Sequence, residues 1–131
     1  MQRWILLLGL VLVLTGCGDA VASPEDATAV LDRYAERVMA SDLVGARAQL
    51  ANAGLDWQEN MERVLELGLM GYTIADLATA GEGYTATVRW TVPAPQQAMC
   101  TYVRVGAEGD IALTQGATKK CPDIVTIPNV P

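Results

Sequence analysis

Residues 84–92 read YTATVRWTV, and their alternation decides the fold. Tyr84, Ala86, Val88, Trp90 and Val92 fall on one parity, and Thr85, Thr87, Arg89 and Thr91 fall on the other. A period of two is that of a strand with one face buried and one face polar, the pattern of an antiparallel sheet covered on one side. Pro93-Ala94-Pro95 ends the run, because proline has no N–H to give a ladder. Upstream, Gly81-Glu82-Gly83 reads as a turn, preceded by a strand that carries Tyr72 and Ile74. Downstream, residues 99–105 alternate again, Glu108-Gly109-Asp110 turns, and residues 111–114 make a further strand. About four antiparallel strands follow one another.

Before Gly71 the period is helical. Ser23-Pro24-Glu25-Asp26 combines a cap, a proline suited to the first helical position and acids at the positive end of the dipole. Ala27, Val30, Leu31, Tyr34 and Val38 then recur at spacings of three and four, one buried stripe. Ser41-Asp42 restarts a shorter helix to about Leu50, which Asn52-Ala53-Gly54 ends. Asp56-Trp57-Gln58-Glu59 has the capping-box pattern and opens a third helix, with Trp57, Met61, Val64 and Leu65 on one face and Gly68 near its end. Helices first and strands afterwards predict an α+β fold, N-terminal helices packed on one face of a curved antiparallel sheet. This order, over residues 23–115, resembles the nuclear-transport-factor-two-like family. The resemblance implies a sheet curled around the first helix with a conical pocket, where relatives with activity use aspartate, histidine or tyrosine. Cystatin-like and other helix-on-sheet folds share the order.

The chain's start has a different logic. Arg3 and the amino terminus precede an apolar run over residues 5–14, broken only by Gly9. Ten residues are half of the roughly 20 that span a bilayer as a helix, and the layout is that of a secretory signal peptide. Leu14-Thr15-Gly16-Cys17 resembles the lipobox of bacterial lipoproteins. That resemblance implies a diacylglyceryl group on the Cys17 thiol, cleavage after Gly16 and acylation of the freed amine. Two or more acyl chains hold a protein stably in a bilayer, so Cys17 is the expected membrane device. The expected divisions are a signal peptide (1–16), a lipidated tether (17–22), an α+β domain (23–116) and a proline-bearing tail (117–131). Aspartate directly after the lipidated cysteine retains enterobacterial lipoproteins in the inner membrane. Gly18 stands there and Asp19 comes one later, which implies the outer membrane, facing the periplasm.

The chain carries 9 basic and 15 acidic residues; loss of Arg3 with the signal leaves a net charge of −7. That balance excludes the basic footprint that nucleic acid requires and any electrostatic docking on anionic lipid. Of three cysteines, lipidation consumes Cys17 and leaves Cys100 and Cys121 as a pair in an exported protein, where a disulfide is the expected state. With no histidine and two remaining thiols, no metal or other cofactor is expected.

Candidate chemistry is sparse. Absence of histidine excludes a histidine base or triad. Asp76, beside Tyr72 and Ile74 in the first strand, reads as a base if it points into a pocket and as an exposed or bulge residue otherwise; Glu82 is the other carboxylate at that end. Glu59, Glu62 and Glu66 lie along one side of the third helix with Arg63 among them, the pattern of a solvated face with weak pairs. Tyr34, Trp57, Tyr72 and Trp90 are candidates for pocket lining or for core. Lys119-Lys120 is too short for a nucleic-acid patch. Three functions fit: a non-catalytic envelope lipoprotein binding a partner protein or an apolar ligand, a small hydrolase or isomerase using Asp76 or Glu82, and a structural component of an envelope or secretion assembly that uses its tail.

Overall fold

The structure, a computed structural model, describes residues 20–122. The lipobox with Cys17, and the tail residues Pro128 and Pro131, lie outside the described residues.

Helix α1 (Pro24–Met39) forms where its capping signals predict. Ser23 is extended and its Oγ accepts from the Asp26 N–H at 3.1 Å, while Asp26 Oδ2 accepts from the Ala22 N–H at 2.9 Å. These contacts satisfy donors that a helix start leaves open. The buried stripe is Ala27, Val30, Leu31, Tyr34, Ala35 and Val38. Before the cap, Val21 is buried and its N–H donates to the Ala107 carbonyl at 2.9 Å. The expected tether is thus docked on the domain at its fifth residue.

Helix α2 (Leu43–Ala48) is capped by Asp42, whose side chain accepts from the Gly45 N–H and from Arg37 Nη1. Helix α3 (Trp57–Glu66) buries Trp57, Met61 and Val64. The capping box read at its start does not form: Asp56 has helical φ/ψ and makes no side-chain cap bond. Instead the Trp57 N–H donates to the Gly54 carbonyl at 3.2 Å, so a backbone turn begins the helix. Gly68 closes it at φ 93°, a left-handed conformation that suits glycine.

Five strands make one antiparallel sheet: β1 (Gly71–Ala80), β2 (Gly83–Thr91), β3 (Met99–Val105), β4 (Ile111–Leu113) and β5 (Lys119–Lys120). The first four form a meander in chain order, and β5 pairs with the start of β3. β1 and β2 turn through Gly81 and Glu82, with positive φ at Gly81 alone, the requirement of a type II′ hairpin. Tyr72 opposite Trp90, Ile74 opposite Val88 and Val88 opposite Thr101 set the inner face. β5 adds to the four strands expected, because Lys119 and Lys120 lie opposite Cys100 and Met99 rather than in a free approach to Cys121.

The helices cover the inner face, with α1 against β1, β2 and β3. The interior is filled by Tyr34 and Trp90, both fully buried, with Trp57 beside them. Ring centroids lie 6.4 Å apart for Tyr34–Trp57, 6.3 Å for Tyr34–Trp90 and 6.2 Å for Tyr72–Trp90. Large aromatics bury about 150 Å² or more each, worth about 4 kcal/mol of transfer. The indole N–H of Trp90 donates to Thr101 Oγ1 at 2.9 Å; that oxygen also bonds the Thr118 hydroxyl, which reaches Met61 Sδ at 3.4 Å. A buried chain of polar atoms thereby ties β5's approach to the core.

Candidate functional site

Among the described residues no helix covers the outer face of the sheet. A hollow of about 520 Å³ lies there, lined by Ala75, Asp76, Thr87, Arg89, Cys100, Tyr102 and Pro122. Thr87 stands opposite Tyr102 and Arg89 opposite Cys100, which places all four on the parity facing away from Trp90. Cys100 and Thr87 are buried despite facing outward. The Cys100–Cys121 disulfide, with Cα atoms 5.0 Å apart, holds the chain after β5 over this face, and Pro122 forms part of the wall.

Asp76 reaches this hollow through a β-bulge. Residues 75 and 78 pair with 87 and 85, so β1 carries one residue more than β2 between them. Strict alternation would send Asp76 to the side of Tyr72 and Ile74. With φ at 52°, Asp76 is the residue that absorbs the insertion. Leu77 takes the inward place and packs on the core, while Asp76 is exposed on the outer side. A left-handed non-glycine residue in a bulge is the kind of local strain that concentrates at functional positions. Arg89 has no ion-pair or hydrogen-bond partner among the described residues. The hollow therefore offers a carboxylate, an unengaged guanidinium, a phenol and a hydroxyl over a partly apolar floor, a surface suited to recognising a polar, extended partner.

Of the residues singled out from sequence, the four aromatics come together around the core, and the carboxylates are scattered over the surface. Tyr34 and Trp90 are core, and Trp57, 3 % exposed, borders a separate hollow of about 290 Å³ with Asn52, Asp56 and Leu113. Tyr72 is half-buried; its hydroxyl donates to Asp32 Oδ1 at 2.9 Å and lies 3.5 Å from Glu36 Oε2. Burial, with the two carboxylates beside it, holds the Tyr72 phenol well above its ordinary range. Burial does the same to Tyr34, and neither Tyr34 Oη nor Trp57 Nε1 makes a hydrogen bond among the described residues. Glu82 is exposed at the tip of the β1–β2 hairpin. Glu59, Glu62 and Glu66 are exposed on α3, with Glu59 3.8 Å from Arg63 and Glu62 accepting from Gln58. Among the described residues no cluster of three metal-ligating side chains forms. Arg89, Tyr102 and Thr87 were not among the expected site residues. The sequence signal for each is the polar parity of its strand, residues 84–92 for Thr87 and Arg89 and residues 99–105 for Tyr102.

Residues 1–17 match the family model described as a prokaryotic membrane lipoprotein lipid attachment site. The match supports a bacterial envelope lipoprotein, made with a signal peptide and anchored to its membrane by lipid. Among the described residues no helix is long and apolar enough to cross a membrane. No curated protein and no solved structure matches the chain, and the likeness of element order to the nuclear-transport-factor-two-like family rests on sequence alone.

Proposed function

We propose that the lipid on Cys17 holds a non-catalytic binding domain at the outer membrane, facing the periplasm, and that a partner protein docks on the outer face of its sheet. The observation that carries this reading is the bulged, positive-φ Asp76 beside Arg89, whose side chain has no partner among the described residues, on a face that no described helix covers. Opposite charges at that spacing select a partner's polar groups and register more than they add affinity. Asp76 and Glu82 are both exposed, which suits them to contact with a partner. Gly18 directly after Cys17 supports the outer-membrane assignment.

A photo-crosslinking residue in place of Tyr102, in the lipidated protein in its own envelope, should give a discrete adduct. The same residue in place of Leu55, 93 % exposed on the helical side, should not. Arg89→Glu should abolish the Tyr102 adduct. Equal labelling from both positions, or an adduct indifferent to Arg89→Glu, would refute the proposal.

A further inference from the structure

We propose that the end of the domain bearing the β3–β4 turn faces the bilayer, and that the hollow beside it takes a phospholipid headgroup carrying both a phosphate and a primary ammonium. The inference rests on lipidation of Cys17 and goes beyond the docking face proposed above.

Covalent geometry sets the orientation. Val21 is buried and hydrogen-bonded to Ala107, so the chain leaves the domain beside residues 106–110, the β3–β4 turn. From Cys17 to Val21 there are four residue steps, at most about 14 Å when fully extended. The acylated residue sits at the membrane surface, so Ala107 lies within about 17 Å of it, about two headgroup layers. The β2–β3 loop lies at the opposite end of β3, a seven-residue strand, and so stands about 20 Å further off.

A hollow of about 480 Å³ adjoins the exit point. Glu108, Gly109 and Asp110 form one wall, Arg33 and Arg37 of α1 another, and residues 48–51 the floor. Arg37 Nη1 is engaged by Asp42 Oδ2 at 3.1 Å, while Arg33 is exposed and has no ion pair among the described residues. Glu108 and Asp110 are likewise exposed and without ion pairs among the described residues. Guanidinium on one wall and carboxylates on the other complement a zwitterion. Phosphate goes to Arg33 and ammonium to Glu108 and Asp110. A quaternary ammonium has the charge but no N–H for those carboxylates. An anionic headgroup without an amine leaves the acidic wall unpaired.

The test uses the lipidated full-length protein in vesicles. Arg47→Cys, at the end of α2 beside the hollow, and Gln96→Cys, in the β2–β3 loop, each carry a spin label. Collision with a nickel chelate fixed to headgroups reports each label's distance from the surface. In vesicles containing phosphatidylethanolamine, the Arg47 label should collide far more often than the Gln96 label. That contrast should shrink in pure phosphatidylcholine, and shrink likewise in phosphatidylethanolamine with Arg33→Gln or Glu108→Gln. Equal collision rates for both labels would overturn the orientation, and an unchanged contrast in phosphatidylcholine would overturn the headgroup. Failure of the protein to sediment with vesicles would overturn the anchor itself, and with it this inference.

Discussion

Replacing both Cys100 and Cys121 with alanine isolates what the disulfide contributes. The bridge joins residues 21 apart in sequence. On the chain-entropy account, a closed loop of about 22 residues restrains the unfolded chain by about 3 kcal/mol at 25 °C. Both cysteines are nearly buried, 3 % and 4 % exposed, so loss of sulfur packing adds up to about 1 kcal/mol. The backbone bonds that hold β5 act only in the folded state: Cys121 N–H to the Ala98 carbonyl at 2.9 Å, and the pairing of Lys119 and Lys120 with β3. They cannot offset an unfolded-state term. For a domain near 100 residues each kcal/mol moves Tm by about 4–8 °C, so a loss of about 3–4 kcal/mol should lower the melting point by roughly 12–32 °C. Thermal and urea unfolding followed by circular dichroism measure this, with the oxidised parent alongside. A second signature accompanies the first. Without the cross-link the unfolded chain expands and exposes more surface, so the urea slope should rise. A Tm shift under about 4 °C, with the urea slope unchanged, would refute both the loop-closure reasoning and the role given to the bridge.

Thr101→Val removes the hydroxyl that accepts from Trp90 Nε1 and bonds Thr118, stranding buried partners; a loss of about 1–3 kcal/mol is expected, read from urea midpoints. Asp76→Gly relieves a left-handed residue at φ 52° and should raise stability by about 1 kcal/mol in the same assay, while weakening the adduct formed from position 102. Tyr34 and Tyr72 stay protonated in the fold above the range where an unfolded tyrosine ionises, near about pH 10. Their contribution is therefore intact below about pH 10 and lost as pH rises further, with fully buried Tyr34 supplying up to about 1.4 kcal/mol per pH unit. Urea midpoints between pH 8 and 11 should fall, and fall less in Tyr34→Phe. Cys17→Ser should abolish fatty-acid labelling and membrane sedimentation, since the acidic body has no substitute attraction to anionic lipid.

The elements were legible because local signals agreed with the burial they serve. Ser23 caps α1, the stripe from Ala27 to Val38 is buried, and residues 84–92 divide by parity as read. The misreadings have local causes. Asp56 resembles a cap by residue type, but its backbone is already helical rather than extended, and the first helical N–H goes to the Gly54 carbonyl instead of to a side chain. β5 was missed because two lysines carry no strand pattern. Their pairing follows from the disulfide beside them, which recruits the chain to β3 whatever its side chains.

The candidate site was less legible, for a reason that lies in the bulge. Periodicity assigns a side to every strand residue only while the register holds, and one inserted residue exchanges the two faces beyond it. Up to Ala75 the parity of β1 is correct, with Tyr72 and Ile74 opposite Trp90 and Val88. Parity then sends Asp76 inward and Leu77 outward, an apolar residue to water and a charge to the core. The fold resolves that conflict by placing Asp76 at positive φ, which costs about 1–2 kcal/mol for a residue with a Cβ. Glycine in that position would remove the cost and keep Leu77 inside, so stability alone does not select aspartate there. Asp76 at positive φ, on the outer side of the sheet and beside an arginine side chain with no partner among the described residues, is therefore the feature on which the proposed docking face stands or falls, and Asp76→Gly tests it without disturbing the inward place of Leu77.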